Sequence, residues 1–232
     1  MEEEKTKINM MDMLKAGVHF GHKKSKKHPK MDEYVFGVRN GISIIDLSKT
    51  KGKLAEAADF ARKISEKDGV VLFVGTKRQA SKIIEAAAKK CEMPYVSERW
   101  LGGTFTNFDK ILIGKKRLES LIEEQESGEL ARKYTKKEVR EIEREMKRLE
   151  IKFGGIRKIS RIPDAVFIVD IIEEETAVLE ALAKKVPIIA ITDTNTNPSH
   201  ISHPIPANDD AIRSIELVTN VIADAIIAGK KK

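Results

Sequence analysis

The sequence contains one cysteine, Cys91, in 232 residues, so an internal disulfide is excluded and a reducing compartment is expected. Aromatic residues make up only 5%, with a single tryptophan, so the core has to be aliphatic. No apolar run approaches the ~20 residues that a membrane-spanning helix needs. The start, MEEEKTKINMMDMLK, is acidic and lacks the apolar stretch of a signal peptide. These absences predict a soluble, cytoplasmic protein.

Charged residues are abundant, at 34% of the chain, and they are not balanced. The 43 Lys and Arg residues exceed the 36 Asp and Glu residues and give a net charge of +7. Excess positive charge favours polyanionic partners, which means nucleic acid or an acidic membrane. The length is sufficient for one well-buried core with a small appendage.

Apolar runs alternate with helical periodicity over most of the chain. Continuous apolar stretches predict buried strands, and residues 193–210 are interpreted as a loop before a final helix over 211–228. Buried strands that alternate with helices are typical of an α/β fold, in which helices cover both faces of a parallel sheet. The predicted strands are 69–75, 94–96, 165–170 and 187–192, and a helix is predicted over 47–67.

Residues 105–153 interrupt this alternation with two long, charged helical stretches. They are predicted to form an inserted antiparallel coiled-coil hairpin, and residues 1–104 and 154–232 are predicted to form the α/β domain. Gly128 permits a turn between the helices, and Thr135 with Glu138 matches a capping box. The apolar positions that suggest the seam are Phe108, Ile111, Leu118 and Ile122 in the first stretch and Val139, Ile142, Met146, Leu149 and Phe153 in the second.

The most basic segment covers residues 15–31, and its lysines are followed by no acidic residue until Asp32. A β-hairpin over 34–46, with its turn at Asn40-Gly41, is predicted to follow and carries Arg39. A basic segment that also contains glycine, proline and histidine suits contact with an RNA backbone. Such binding is expected to depend strongly on salt through counterion release.

The string Gly75-Thr76-Lys77-Arg78 follows a predicted strand, and Thr76 could cap the helix after it. Backbone N–H groups and two cations at a helix N-terminus would bind phosphate. The glycine patterns of nucleotide-binding loops are missing, so a plain turn is favoured over a mononucleotide site, while an RNA phosphate would suit the same geometry. An α/β enzyme that uses Gly75-Thr76-Lys77 and Asp170 on a phosphorylated small molecule is the alternative function.

Asp170 and Asp193 each end a predicted strand and would share one edge of a parallel sheet. Paired carboxylates could hold Mg²⁺, but capping of loops or helices is the favoured interpretation. The histidines His19, His22 and His28 resemble a metal site only loosely. Stacking on RNA and contact with phosphate are better roles for these histidines than metal binding, and an ordinary loop position is the remaining alternative.

Trp100, the only tryptophan, follows Arg99 and precedes two glycines. An arginine beside an aromatic ring could stack on RNA bases. Packing of Trp100 at the junction between sheet and hairpin is favoured, with Thr104 or Thr106 as the N-cap of the first hairpin helix.

Seven strings in this chain resemble the bacterial ribosomal protein S2 family, in the order that the family has them. They are DMLKAGVHFGH (12–22), HPKM (28–31), FVGTKR (73–78), RWLGGTFTNF (99–108), PDAVFIVD (163–170), DTNTNP (193–198) and PIPANDDAIRSI (204–215). Together they span nearly the whole chain, so the resemblance is specific.

The resemblance implies a flavodoxin-like or Rossmann-like domain with the helical hairpin, in a structural protein of the small ribosomal subunit. It implies binding to small-subunit rRNA and docking of neighbouring ribosomal proteins, including the large OB-repeat protein S1 where present. No enzymatic activity, cofactor, metal, membrane contact or homo-oligomer is expected. A protein-docking role for the hairpin is compatible with this hypothesis. The residues expected to contact RNA are Lys23, Lys24, Lys26, Lys27, Lys30, Arg39, Lys77, Arg78 and Arg99.

Overall fold

The computed structural model describes residues 9–230, so the acidic start Glu2-Glu3-Glu4 lies outside the described residues. The helices are α1 (Met10–Ala16), α2 (Leu47–Ser65), α3 (Ser81–Lys90), α4 (Phe108–Glu126), α5 (Glu129–Lys133), α6 (Lys136–Phe153), α7 (Glu175–Ala183) and α8 (Ile212–Lys230). The strands are β1 (Phe20–Lys23), β2 (Val35–Arg39), β3 (Ile42–Ile45), β4 (Val71–Val74), β5 (Tyr95–Val96), β6 (Ala165–Val169), β7 (Ile188–Thr192) and β8 (His203–Pro206).

The larger sheet has five parallel strands in the order β5-β4-β6-β7-β8. Every residue of β4, β6 and β7 is buried, as expected for strands covered on both faces. Alternate residues enter two cores: Phe73 packs with residues of α2, α3 and α8, whereas Leu72 packs with residues of α4, α6 and α7. The predicted α/β class is confirmed.

The prediction of a plain loop over 193–210 is wrong, because this segment contains β8. The strand pairs with β7 in parallel, with Ile205 beside Ile191. Pro204 and Pro206 obscure it in the sequence, since proline lacks the N–H that a central strand needs. β8 lies at an edge of the sheet, where proline is tolerated.

A second, antiparallel sheet has the order β1-β3-β2. Asn40 and Gly41 join β2 to β3 with φ angles of 51° and 77°, the left-handed backbone that a two-residue hairpin turn requires. The predicted hairpin is thereby confirmed. β1 was not foreseen, and it places part of the basic segment on a strand instead of in a loop.

The helices α4 and α6 run antiparallel, because Gly114 early in α4 faces Phe153 at the end of α6. Lys115 interrupts the predicted seam by donating from Nζ to the Ile159 carbonyl at 2.9 Å. The capping box of Thr135 and Glu138 is confirmed. The N-cap of α4 is Asn107, so the prediction of Thr104 or Thr106 is wrong. The coiled-coil interpretation of this helix pair stays a prediction.

Candidate nucleic-acid interface

The lysines of the basic segment are displayed at the surface. Lys23 ends β1, and Lys24 and Lys26 belong to a 3₁₀ turn. Lys27 forms an ion pair with Asp32. Within residues 9–230, no carboxylate lies within 4.0 Å of the ammonium groups of Lys23, Lys24, Lys26 and Lys30, which are all exposed. These charges are therefore available to a partner.

The backbone of this segment is held against the end of β7 by Thr194. The Thr194 hydroxyl accepts a hydrogen bond from the N–H of His22, and its carbonyl accepts one from the N–H of His28, both at 2.8 Å. A Cβ at Gly21 would lie 2.5 Å from the Thr194 side chain, so only glycine permits this approach. The lysines thus lie on a chain segment that is fixed at two points.

The carboxyl edge of the parallel sheet carries a cluster of acidic residues around one lysine. Lys77 follows β4, and its Nζ lies 2.9 Å from Asp170, 3.2 Å from Asp209 and 2.6 Å from Asp210. The Lys77 side chain is only 16% exposed. Its charge is therefore matched by carboxylates of the same chain, unlike the charges of the basic segment.

The turn after β4 differs from the predicted phosphate loop. α3 begins at Ser81 with Ala80 as its N-cap, so the prediction that Thr76 caps this helix is wrong. Instead, the N–H of Thr76 donates to the buried carboxylate of Glu174 at 2.6 Å. Burial raises the pKa of Glu174. The Thr76 N–H and the Lys77 ammonium, which the alternative enzyme site requires for phosphate, are thus engaged in contacts within the protein.

Burial governs the electrostatics of the cluster. It raises the pKa of Asp209 to about 7, and the charges of Asp170 and Asp193 add to this effect. Burial lowers the pKa of Lys77, but its carboxylate partners outweigh burial and hold that pKa above its ordinary value. The Asp209 Oδ2 atom is buried and has no hydrogen-bond partner among residues 9–230. The edge therefore carries more negative charge than its one lysine neutralises.

His22 joins the basic segment to this cluster. Its Nδ1 lies 3.1 Å from Asp193, and donation of a hydrogen bond to that carboxylate raises the pKa of His22. In the part of the chain that the structure describes, His22, Asp193 and Asp209 offer ligand atoms within 4.8 Å of one another, a set that suits a divalent cation. The sequence suggested two other metal sites. One combined Asp170 with Asp193, and the other combined His22 with His19 and His28. Neither is the set found in the structure.

The other predicted strand-end groups mainly stabilise turns. Asp170 Oδ1 accepts from the N–H groups of Ile172 and Glu173, which confirms the capping interpretation. His28 Nδ1 accepts from the N–H of Lys30 and caps a 3₁₀ turn. The sequence analysis missed Asp209 and Asp210, because the strand that precedes them, β8, was taken for part of a loop.

Trp100 packs as predicted. It is 7% exposed and lies edge-on to Phe105 at 5.1 Å between ring centroids, in the core shared by the sheet and α4. Its Nε1 donates to Glu180, a buried residue of α7 that the sequence analysis did not identify. Arg99, Arg78 and Arg39 are exposed, each in a different turn or strand end.

Comparison with known proteins identifies the family. The family model "Ribosomal protein S2" matches residues 13–229. This chain belongs to the ribosomal protein S2 family. It is 47% identical over 227 residues to the small ribosomal subunit protein uS2 of Fusobacterium nucleatum, covering 97% of this chain and 91% of the relative. The uS2 proteins of Dictyoglomus thermophilum and Dictyoglomus turgidum are 49% and 50% identical over 225 residues, each covering 96% of this chain and 90% of the relative.

Membership of the S2 family gives the chain a structural role in the ribosome and makes it a protein without enzymatic activity. The resemblance seen in the sequence is confirmed, and the alternative of a phosphate-handling enzyme is rejected. Among residues 9–230, no helix is both long and apolar enough to cross a membrane.

Proposed function

We propose that this S2-family protein is a structural constituent of the small ribosomal subunit and that it binds small-subunit rRNA through the basic segment 15–31. The observation that carries the proposal is the set of exposed, unpaired lysines on a backbone anchored to Thr194. Anchoring reduces the conformational entropy lost on binding, and unpaired lysines release counterions from phosphates.

Pairing with carboxylates distinguishes Lys77 from the cations that are proposed to contact RNA. The ammonium of Lys77 already contacts three carboxylates, so its proposed role is to hold the strand ends together beneath the interface. The residues proposed to contact phosphate are Lys23, Lys24, Lys26, Lys30, Arg39, Arg78 and Arg99, and Lys27 is proposed to join them by exchanging its ion pair with Asp32 for a phosphate.

Reversing three lysines of this segment tests the proposal. A variant with Lys23→Glu, Lys24→Glu and Lys26→Glu is expected to bind protein-free small-subunit rRNA about 100-fold more weakly at ~0.1 M salt, because three phosphate contacts become repulsive. The slope of log affinity against log salt should fall by about 2 to 3. Filter binding over a salt series measures both quantities.

The matched control carries the same change in net charge on exposed lysines outside the interface, at Lys51, Lys67 and Lys82. It should bind nearly as well as the unchanged protein, and both variants should unfold at the temperature of the unchanged protein. Equal weakening by the two variants would show that only net charge matters and would refute the proposed interface.

We also propose that the small antiparallel sheet helps to dock a neighbouring ribosomal protein. Phe36 is 80% exposed and Phe20 is 47% exposed, and Val38 on β2 is 46% exposed. A group of exposed apolar side chains on one short sheet is typical of a protein interface, in which aromatic residues supply much of the binding energy. The resemblance to the S2 family suggests the OB-repeat protein S1 as this partner.

Removing the most exposed aromatic ring tests the docking proposal. Phe36→Ser is expected to weaken the retention of protein S1 on assembled small subunits at least ~10-fold, since aromatic anchors contribute most at interfaces. Ile172→Ser, at a residue that is 53% exposed outside this sheet, serves as the control. Undiminished retention of S1 with Phe36→Ser, measured by co-sedimentation, would rule out this ring as the anchor.

A further inference from the structure

The helix α7 displays apolar side chains on the face opposite its core contacts. Ala177 and Ala181 on the inner face are buried in the core that the sheet shares with α4 and α6. On the outer face Leu179 is 59% exposed, and Leu182 is exposed as well. Ile172, in the turn that leads into α7, is 53% exposed. We call Ile172, Leu179 and Leu182 the α7 apolar stripe, and an exposed apolar group of this kind marks a candidate interface.

Charged residues of opposite sign lie at the two ends of the α7 apolar stripe. Glu173 and Glu175 lie at its amino end, and Lys184 and Lys185 follow α7 at its carboxyl end. All four residues are exposed, and within residues 9–230 no group of opposite charge lies within 4.0 Å of their charged atoms. The stripe is therefore flanked by two unpaired negative charges at one end and two unpaired positive charges at the other.

The spacing of these charges is nearly symmetric about Leu179. Glu173 lies six residues before Leu179, and Lys185 lies six residues after it. Glu175 lies four residues before Leu179, and Lys184 lies five residues after it. At 1.5 Å per residue, both charged ends lie about 6 to 9 Å along the axis from Leu179. Two copies of α7 that pack antiparallel at Leu179 would therefore bring the acidic end of each copy to the basic end of the other.

We infer that the free protein forms a weak, symmetric dimer through the α7 apolar stripe. In a two-fold interface one surface contacts its own copy, so opposite charges at equal distances from an apolar centre make that surface complementary to itself. Pairing removes the stripe from water on both copies and brings each unpaired charge to an opposite one. One pair of short helices buries well below the ~1,200 Å² of a stable interface, so we expect a dissociation constant on the order of 100 µM.

A second copy explains the α7 apolar stripe better than RNA does, because Glu173 and Glu175 would repel phosphate. A different protein would need both charges in matching positions, whereas a second copy supplies them by symmetry. The expectation of no homo-oligomer came from the resemblance to the S2 family, and that resemblance carries no information on the exposure of α7. The inference concerns the free protein and does not depend on the proposed RNA contact.

Placing a charge at the centre of the stripe tests the inference. Sedimentation velocity of the unchanged protein, from about 10 µM to about 500 µM, should show a monomer that converts to a dimer across this range. Leu179→Glu is expected to weaken the association at least ~10-fold, because like charges would meet at the two-fold axis. Ile113→Glu, at an isoleucine of α4 that is 60% exposed, is the matched control and should associate as the unchanged protein does.

Reversing one charged end at a time tests the antiparallel pairing. One chain carries Glu173→Lys and Glu175→Lys, and a second chain carries Lys184→Glu and Lys185→Glu. Each chain alone should associate at least ~10-fold more weakly than the unchanged protein, because like charges then meet at both ends. An equimolar mixture of the two chains should form mixed dimers about as well as the unchanged protein, since every end again meets the opposite charge.

Three results would overturn the inference. The first is an unchanged protein that stays monomeric at the highest concentration. The second is a dimer that persists in Leu179→Glu but is lost in Phe36→Ser, which would assign the contact to the small antiparallel sheet. The third is a mixture of the two reversed chains that associates no better than either chain alone. Circular dichroism of each variant verifies that the monomer is folded, as expected for changes at exposed residues.

Discussion

Replacing Lys77 with alanine is expected to destabilise the protein by about 3 to 5 kcal/mol. The change removes the lysine that contacts Asp170, Asp209 and Asp210, and removal of one partner leaves buried charge uncompensated. Arg78→Ala, at the exposed neighbouring residue, is the matched control and should retain nearly the full stability. Urea denaturation of the two variants at pH 7 measures the difference.

The cost of Lys77→Ala should depend on pH. Burial raises the pKa of Asp209 from 3.8 to about 7, so the folded protein holds this proton more tightly than the unfolded chain does. This group's contribution to stability therefore falls as pH rises between about 4 and 7. Without Lys77 the pKa of Asp209 should rise further, and the variant should lose less stability at pH 5 than at pH 8. An equal loss at the two pH values would show that charge repulsion is not the cause.

Replacing Glu180 with alanine is the second change with a large expected effect. One carboxylate oxygen accepts from Trp100 Nε1 at 3.1 Å and from the N–H of Gly103 at 2.7 Å. The other accepts from the N–H groups of Phe105 and Thr106 at 2.9 and 3.1 Å, and from the Thr106 hydroxyl at 3.1 Å. Buried donors without acceptors are costly, so we expect a loss of about 3 to 4 kcal/mol in the free energy of unfolding.

Two further variants define the origin of that loss. Glu180→Gln keeps the shape of the side chain but replaces one acceptor oxygen with a donor, so about half of the loss is expected. Glu173→Ala, at an exposed glutamate just before α7, is the control and should stay close to the unchanged protein. If Glu180→Ala were as stable as Glu173→Ala, the carboxylate would not organise the segment before α4.

The pKa of Glu180 gives this prediction a pH dependence. Burial raises this pKa, but the hydrogen bonds from Phe105, Thr106, Gly103 and Trp100 outweigh burial and bring it below 4.5. A lowered pKa in the folded state contributes stability above about pH 4.5, and that contribution is lost as pH falls through the folded value. The difference between the unchanged protein and Glu180→Gln should therefore narrow in acid.

Most of the parallel sheet was predictable because strands that are buried on both faces have continuous apolar sequences. β4 and β6 are runs of apolar residues and β7 is one up to its final Thr192, which is the pattern of strands buried on both faces. β8 was not predictable, since Pro204 and Pro206 are disfavoured in central strands and only an edge position accommodates them. Missing β8 also concealed Asp209 and Asp210 at the sheet edge.

The candidate interface was predictable in part, because charge is visible in the sequence whereas ion pairing between distant residues is not. A run of lysines without intervening acids is visible in the sequence of segment 15–31. Whether each cation has a partner is not visible there. Lys77 and Lys24 look equally available as sequence, but only Lys77 is surrounded by carboxylates.

By itself the sequence determined the fold class, the excess of positive charge and the resemblance to the S2 family, because these depend on composition and on neighbours along the chain. The tertiary structure decided which charges are neutralised and which are displayed. Lys77 meets Asp170 and Asp209 across 93 and 132 residues, and Glu180 meets Trp100 across 80. Such contacts follow from strand order and crossover packing, which bring distant segments to one edge of the sheet.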